Sequence, residues 1–193
     1  EQSGGRLSAT APVEPSTGIQ KRIELEMDDE GGHVHLVHRL TNHGLWTVEC
    51  APWALTMCAP GGVGILPLPL GGAHEENLLP RTSLILWAYI DLTDPRWTWG
   101  SRFVMLRQDP AIAAPQKVGV FVPTDPWAAY AREGRLFVKT VAAASTIAYV
   151  SGHGPIGALL AGTSGAAAGT LPSADAAASG AAASAGAAAS VRR

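Results

Sequence analysis

Ile19-Gln20-Lys21-Arg22-Ile23-Glu24-Leu25-Glu26-Met27 sets Ile23, Leu25 and Met27 on one parity and Arg22, Glu24 and Glu26 on the other. A period of two marks a half-buried strand, because successive side chains point to opposite faces. Asp28 to Gly32 follows as a turn, with two glycines to supply positive φ. His33 to Leu40 alternates again, Thr41 to Gly44 makes a second turn, and Leu45 to Met57 reads as a third strand. Residues 19 to 57 are therefore expected to form a meander. Further strands are expected at Gly64–Leu70, Ser83–Tyr89, Arg102–Leu106, Lys117–Val122 and Arg135–Val141, with Pro and Gly punctuating the gaps. One helix is expected, from Pro126 to Glu133, since Pro suits a first helical turn and Gly134 a helix stop. The cadence of short strands points to an all-β chain, a sandwich or barrel rather than a βαβ fold.

Composition sets the outer bounds. The 193 residues suffice for one domain with a sizeable core. Fourteen Lys and Arg against sixteen Asp and Glu leave a formal charge of −2, so no nucleic-acid footprint is expected. Two cysteines, Cys50 and Cys58, exclude a disulfide-dense scaffold and a four-cysteine zinc site; one bridge or two thiols are both compatible. The chain divides sharply: residues 142–193 hold 20 alanines, one aromatic and three formal charges, while all six tryptophans precede them. The reading is a coil or linker over 1–17, a β domain over 18–141 and a low-complexity tail over 142–193. The uncharged run Val141–Ala161 is long enough to cross a bilayer, but Ser151-Gly-His-Gly-Pro155 interrupts its centre and no span is expected. The first residues lack the basic and apolar regions of a signal peptide.

Leu86 to Gly100 carries the most chemistry. It gathers Trp87, Tyr89, Trp97 and Trp99 around Asp91, Asp94 and Arg96. Flat aromatic faces take the C–H face of a sugar ring, and carboxylates and guanidinium groups take its hydroxyls. The candidate ligand contacts are Arg81, Trp87, Tyr89, Arg96, Trp97 and Lys117. Asp91 and Asp94 are also candidates for general acid–base work, with His38 as their partner. The plain reading beside it makes the aromatics core residues and Asp94-Pro95-Arg96 a turn locked by an ion pair. His33, His35 and His38 form an H-x-H-x-x-H set, of which a strand presents the first two on one face; no third ligand is fixed by spacing, and no metal or other cofactor is expected. Glu75 and Glu76 read as solvated charge, and the paired glycines at 61–62 and 71–72 lack the context of a phosphate loop. Lys117 and Lys139 each border an apolar strand and read as surface lysines at a strand edge, although either has the reach to donate into a cleft.

His38-Arg-Leu-Thr-Asn42, Ala51-Pro-Trp-Ala-Leu-Thr56, Ala59-Pro-Gly-Gly62 and Ile65-Leu-Pro-Leu-Pro69 together resemble an uncharacterised bacterial family of the DUF4380 type. Leu78-Leu-Pro80, Leu86–Gly100, Lys117-Val-Gly119 and Leu136-Phe-Val-Lys139 look like its further landmarks. That family is similar to the galactose mutarotase-like group, and the resemblance, which covers Gly18 to Lys139, implies an antiparallel β-supersandwich that binds or processes sugars. Aldose epimerases of that group carry a histidine in an Asn-His-x-Tyr-Phe-Asn segment and a late glutamate. Here Trp53–Cys58 has no histidine, and no glutamate follows Glu133. The expectation is therefore the scaffold without the usual His/Glu mutarotation pair. Family members have strands before the position of Gly18 and after Lys139, so the chain reads as a partial copy whose Ala-rich end comes from a shifted reading frame. Edges left open in this way invite a partner strand or self-association. The functions carried forward are a carbohydrate-binding domain, a carbohydrate-active isomerase, lyase or hydrolase, and a structural sandwich whose aromatics are buried.

Overall fold

The computed structural model describes residues 2–3, 5–28, 32–50, 53–122, 126–141, 146–153, 157–164, 169–171 and 184–192. Seventeen strands and no helix lie among them. The strands are β1 Gln2–Ser3, β2 Arg6–Thr10, β3 Ile19–Met27, β4 His33–Asn42, β5 Val48–Cys50, β6 Trp53–Cys58, β7 Val63–Pro67, β8 Leu84–Leu86 and β9 Trp97–Trp99. They continue as β10 Phe103–Arg107, β11 Gln116–Val122, β12 Trp127–Arg132, β13 Arg135–Val141, β14 Thr146–His153, β15 Gly157–Ser164, β16 Gly169–Leu171 and β17 Ser184–Arg192. All pairings are antiparallel, in a ten-stranded sheet ordered β1-β2-β3-β4-β17-β13-β12-β7-β10-β9 and a five-stranded sheet ordered β6-β15-β14-β11-β8. β5 and β16 form a separate pair.

The core lies between the two sheets. Leu66 of β7, Val104 and Leu106 of β10 and Tyr130 of β12 meet Val118, Val120 and Val122 of β11 and Ala148 of β14. On β10 and β11 every second residue is buried, as the pleat requires of a strand with one face on a core. The all-β antiparallel reading thus holds, in a sandwich-like arrangement.

Three local expectations are corrected. The strand expected over Leu45–Met57 is divided: β5 pairs with β16 and β6 with β15, while β4 takes β17 as its second neighbour. Leu45 and Trp46 are 82% and 81% exposed in a bend, and the meander ends with the β3–β4 hairpin. The expected helix at Pro126–Glu133 is strand β12, hydrogen-bonded on one side to β7 and on the other to β13. Glu133 and Gly134, at φ of 51° and 71°, form the two-residue turn of a β12–β13 hairpin, with Arg132 opposite Arg135. Lys139, expected at the surface, is 6% exposed. It shares the inward face of the sheet with its cross-strand partner Ala128, so its chain runs into the sandwich.

Candidate functional site

The segment from Trp87 to Trp99 joins β8, an edge strand of the smaller sheet, to β9, an edge strand of the larger. Its shape is set by three locks. Asp94 accepts from Arg96 Nε at 3.0 Å, from Nη2 at 2.7 Å and from the Arg96 backbone N–H at 2.9 Å. Arg96 Nη2 also donates to Ala114 O at 2.7 Å and Nη1 to Ile112 O at 3.5 Å, with the side chain 1% exposed. The fork of the guanidinium matches a carboxylate in two parallel bonds, and at this depth the pair is shielded from water. Gln116 is the second lock: its Oε1 accepts from Trp97 Nε1 and from the Asp91 N–H, each at 3.1 Å. The third is the Trp99 indole N–H, which donates to Leu92 O at 3.3 Å.

These locks sort the expected site residues. Trp97 is 7% exposed, in the core, and its ring centroid lies 5.3 Å from that of Trp99. Arg96 and Asp94 are committed to each other. The ion-paired turn is therefore what the segment builds, and Arg96 and Trp97 position the loop instead of meeting a ligand. The residues left at the surface are Tyr89 (45% exposed), Trp99 (40%) and Asp91, with Trp87 half-buried beside them. The β8–β11 register puts Leu86 opposite Val118, which carries Trp87 next to Lys117; the Lys117 Nζ sits 4.0 Å from the Trp87 ring centroid. Arg81 is exposed and donates from Nη2 to Ser101 O at 3.3 Å, on the turn just after β9.

The electrostatics follow from these contacts. The hydroxyl and the backbone N–H of Thr93 both donate to Asp91 Oδ1, at 2.7 and 2.8 Å, and hold its carboxyl below the ordinary carboxylate range. Hydrogen bonds from the Arg96 side chain do the same for Asp94. Burial draws the Lys117 amine down and pushes the Tyr89 phenol up. The surface thus offers a carboxylate, a lysine head group and aromatic faces.

His38 is elsewhere. It is half-buried on β4, opposite Ile23, and six strand spacings separate β4 from β9, about 29 Å measured along the sheet. The acid–base partnership of His38 with Asp91 or Asp94 is not assembled. His33 and His35 are both exposed on one face of β4, beside Glu26, Met27 and Asp28. Among the described residues no group of three or more His, Cys, Asp or Glu is placed to hold a metal ion.

A second polar cluster is one that the residue pattern did not reveal. Lys139 Nζ donates to Thr56 Oγ1 at 3.0 Å, crossing from β13 in one sheet to β6 in the other. Burial lowers the affinity of Lys139 for its proton and raises that of the neighbouring Cys58, a free thiol. Tyr130 stands on the same inner face and is bound to the β6–β7 turn: its hydroxyl donates to Ala59 O at 2.6 Å and accepts from the Gly62 N–H at 2.9 Å. The inward parity of Lys139, two residues after Phe137, was the available signal.

No helix among the described residues is long and apolar enough to cross a membrane. Comparison with protein-family models, with curated proteins and with solved structures returns no match to this chain.

Proposed function

We propose that this chain is a carbohydrate-binding domain of the mutarotase-like supersandwich type, with its ligand seated on the surface formed by Trp87, Tyr89, Asp91, Trp99 and Lys117. The observation that carries the reading is the pairing of exposed aromatic rings with an exposed, hydrogen-bonded carboxylate on a loop held rigid from beneath. Preorganised polar groups beside flat apolar faces suit a ligand that is apolar on its ring faces and hydroxylated at its rim. Lys117 adds donors, and the Asp91 carboxylate adds an acceptor for paired hydroxyls. Arg81 extends the polar rim from the turn after β9. Asp94, Arg96 and Trp97 serve by position.

Titration of mono- and oligosaccharides against tryptophan fluorescence tests this. A saturable change is expected, with Tyr89→Ala and Asp91→Asn each weakening binding about tenfold while the far-ultraviolet circular dichroism stays that of the parent. A flat response from folded protein across the panel overturns the proposal. If iodide also fails to quench the tryptophans of a Trp46→Phe variant, which removes the highly exposed ring, the purely structural reading takes its place.

A further inference from the structure

We infer that the site is built for an oligosaccharide and grips it across the edges of both sheets; this rests on the carbohydrate-binding reading. Trp87 follows β8, the edge strand of the five-stranded sheet, and meets Lys117 of the adjoining β11, while Trp99 lies on β9 at the edge of the ten-stranded sheet. The bond from Trp97 Nε1 on β9 to Gln116 Oε1 on β11 ties the two sheets together beneath this surface. A chain of rings can follow a surface drawn from both sheets and run on past Trp99 towards Arg81, which is bonded to Ser101 O.

The surface continues past Trp99. Arg81, through its bond to Ser101 O, anchors an open groove formed by residues 70–81, in which Glu76, Asn77 and Arg81 supply a carboxylate, an amide and a guanidinium. Gly71 and Gly72 let these side chains lie close to the backbone: a Cβ on Gly72 would stand 2.1 Å from Asn77 Nδ2, and one on Gly71 would stand 2.8 Å from Arg81 Nη1. The groove thus presents hydroxyl-binding groups joined through Arg81 to the turn that follows Trp99, where a further sugar unit would be received. Leu78 and Leu79, 76% and 84% exposed, offer apolar faces beside them.

Calorimetric titration with glucose, cellobiose, cellotetraose and cellohexaose, and with the matching β-1,4-galactose series, tests the inference. Affinity in at least one series should climb at least tenfold between one unit and four. Arg81→Ala and Asn77→Ala should each lower the ratio of tetrasaccharide to monosaccharide affinity severalfold. Equal affinity at all lengths overturns this inference and leaves the binding reading standing; no binding by any member of either series overturns both.

Discussion

Arg96 is the residue on which the loop turns. Three of its hydrogen bonds end on Asp94 and the others on carbonyls of residues 112 and 114. Removing one member of a buried pair leaves the other charged and dry, at a cost of about 3–5 kcal/mol. Arg96→Met should therefore lower stability by that amount in urea denaturation. Asp94→Asn/Arg96→Met should recover most of the loss, because neither partner is then stranded. A single variant within ~1 kcal/mol of the parent would refute the account. Legibility at this scale was partial. Asp94-Pro95-Arg96 announced an ion-paired turn, but whether Arg96 faced ligand or core depended on carbonyls at positions 112 and 114. Trp97 was likewise decided by Gln116, 19 positions away, and no local pattern contains that contact.

Among the elements, the β6–β7 turn shows how much one position can demand. Gly62 has no room for a side chain: a Cβ there would lie 2.5 Å from Ala131 O and 2.6 Å from the Tyr130 ring. Gly61 has open space but a φ of 89°, which an L side chain rarely adopts. Gly61→Ala should cost about 1–2 kcal/mol from backbone strain alone. Gly62→Ala should cost more, since strand β12 or the Tyr130 ring must move; equal costs in thermal or urea unfolding would contradict the steric argument. β3 and β4 were readable because their alternation is local and unbroken. β12 was not: Pro126 and Gly134 stand where a helix would want them, and only the ladders to β7 and β13 select a strand. The division between β5 and β6 was hidden for the same reason, their partners β16 and β15 lying more than a hundred residues downstream.

At the scale of the molecule, the Lys139 cluster makes stability depend on alkaline pH in two opposing ways. Burial lowers the Lys139 value in the folded protein below its ordinary 10.5, so between the two values the unfolded chain binds more protons and stability rises with pH. Burial raises Cys58 above 9.0 and Tyr130 above 10.0, so there the unfolded chain releases protons first and stability falls as pH climbs. In a Cys58→Ala background, the stability of the protein minus that of its Lys139→Met variant should therefore increase with pH over the range just below 10.5. A difference that stays level with pH would remove Lys139 as the source.

The order of the larger sheet also has a consequence for synthesis. β4 is completed early, yet one of its two neighbours, β17, follows about 140 residues later, roughly 7–30 s at the ribosome's pace of about 5–20 residues per second. For that interval one side of β4 is a bare row of amides and carbonyls, and for about the last 40 residues of it β13 also waits with an open side for the same strand. The nascent chain thus carries two adhesive borders that a single late segment must close, and yield on expression should depend on how quickly that segment arrives.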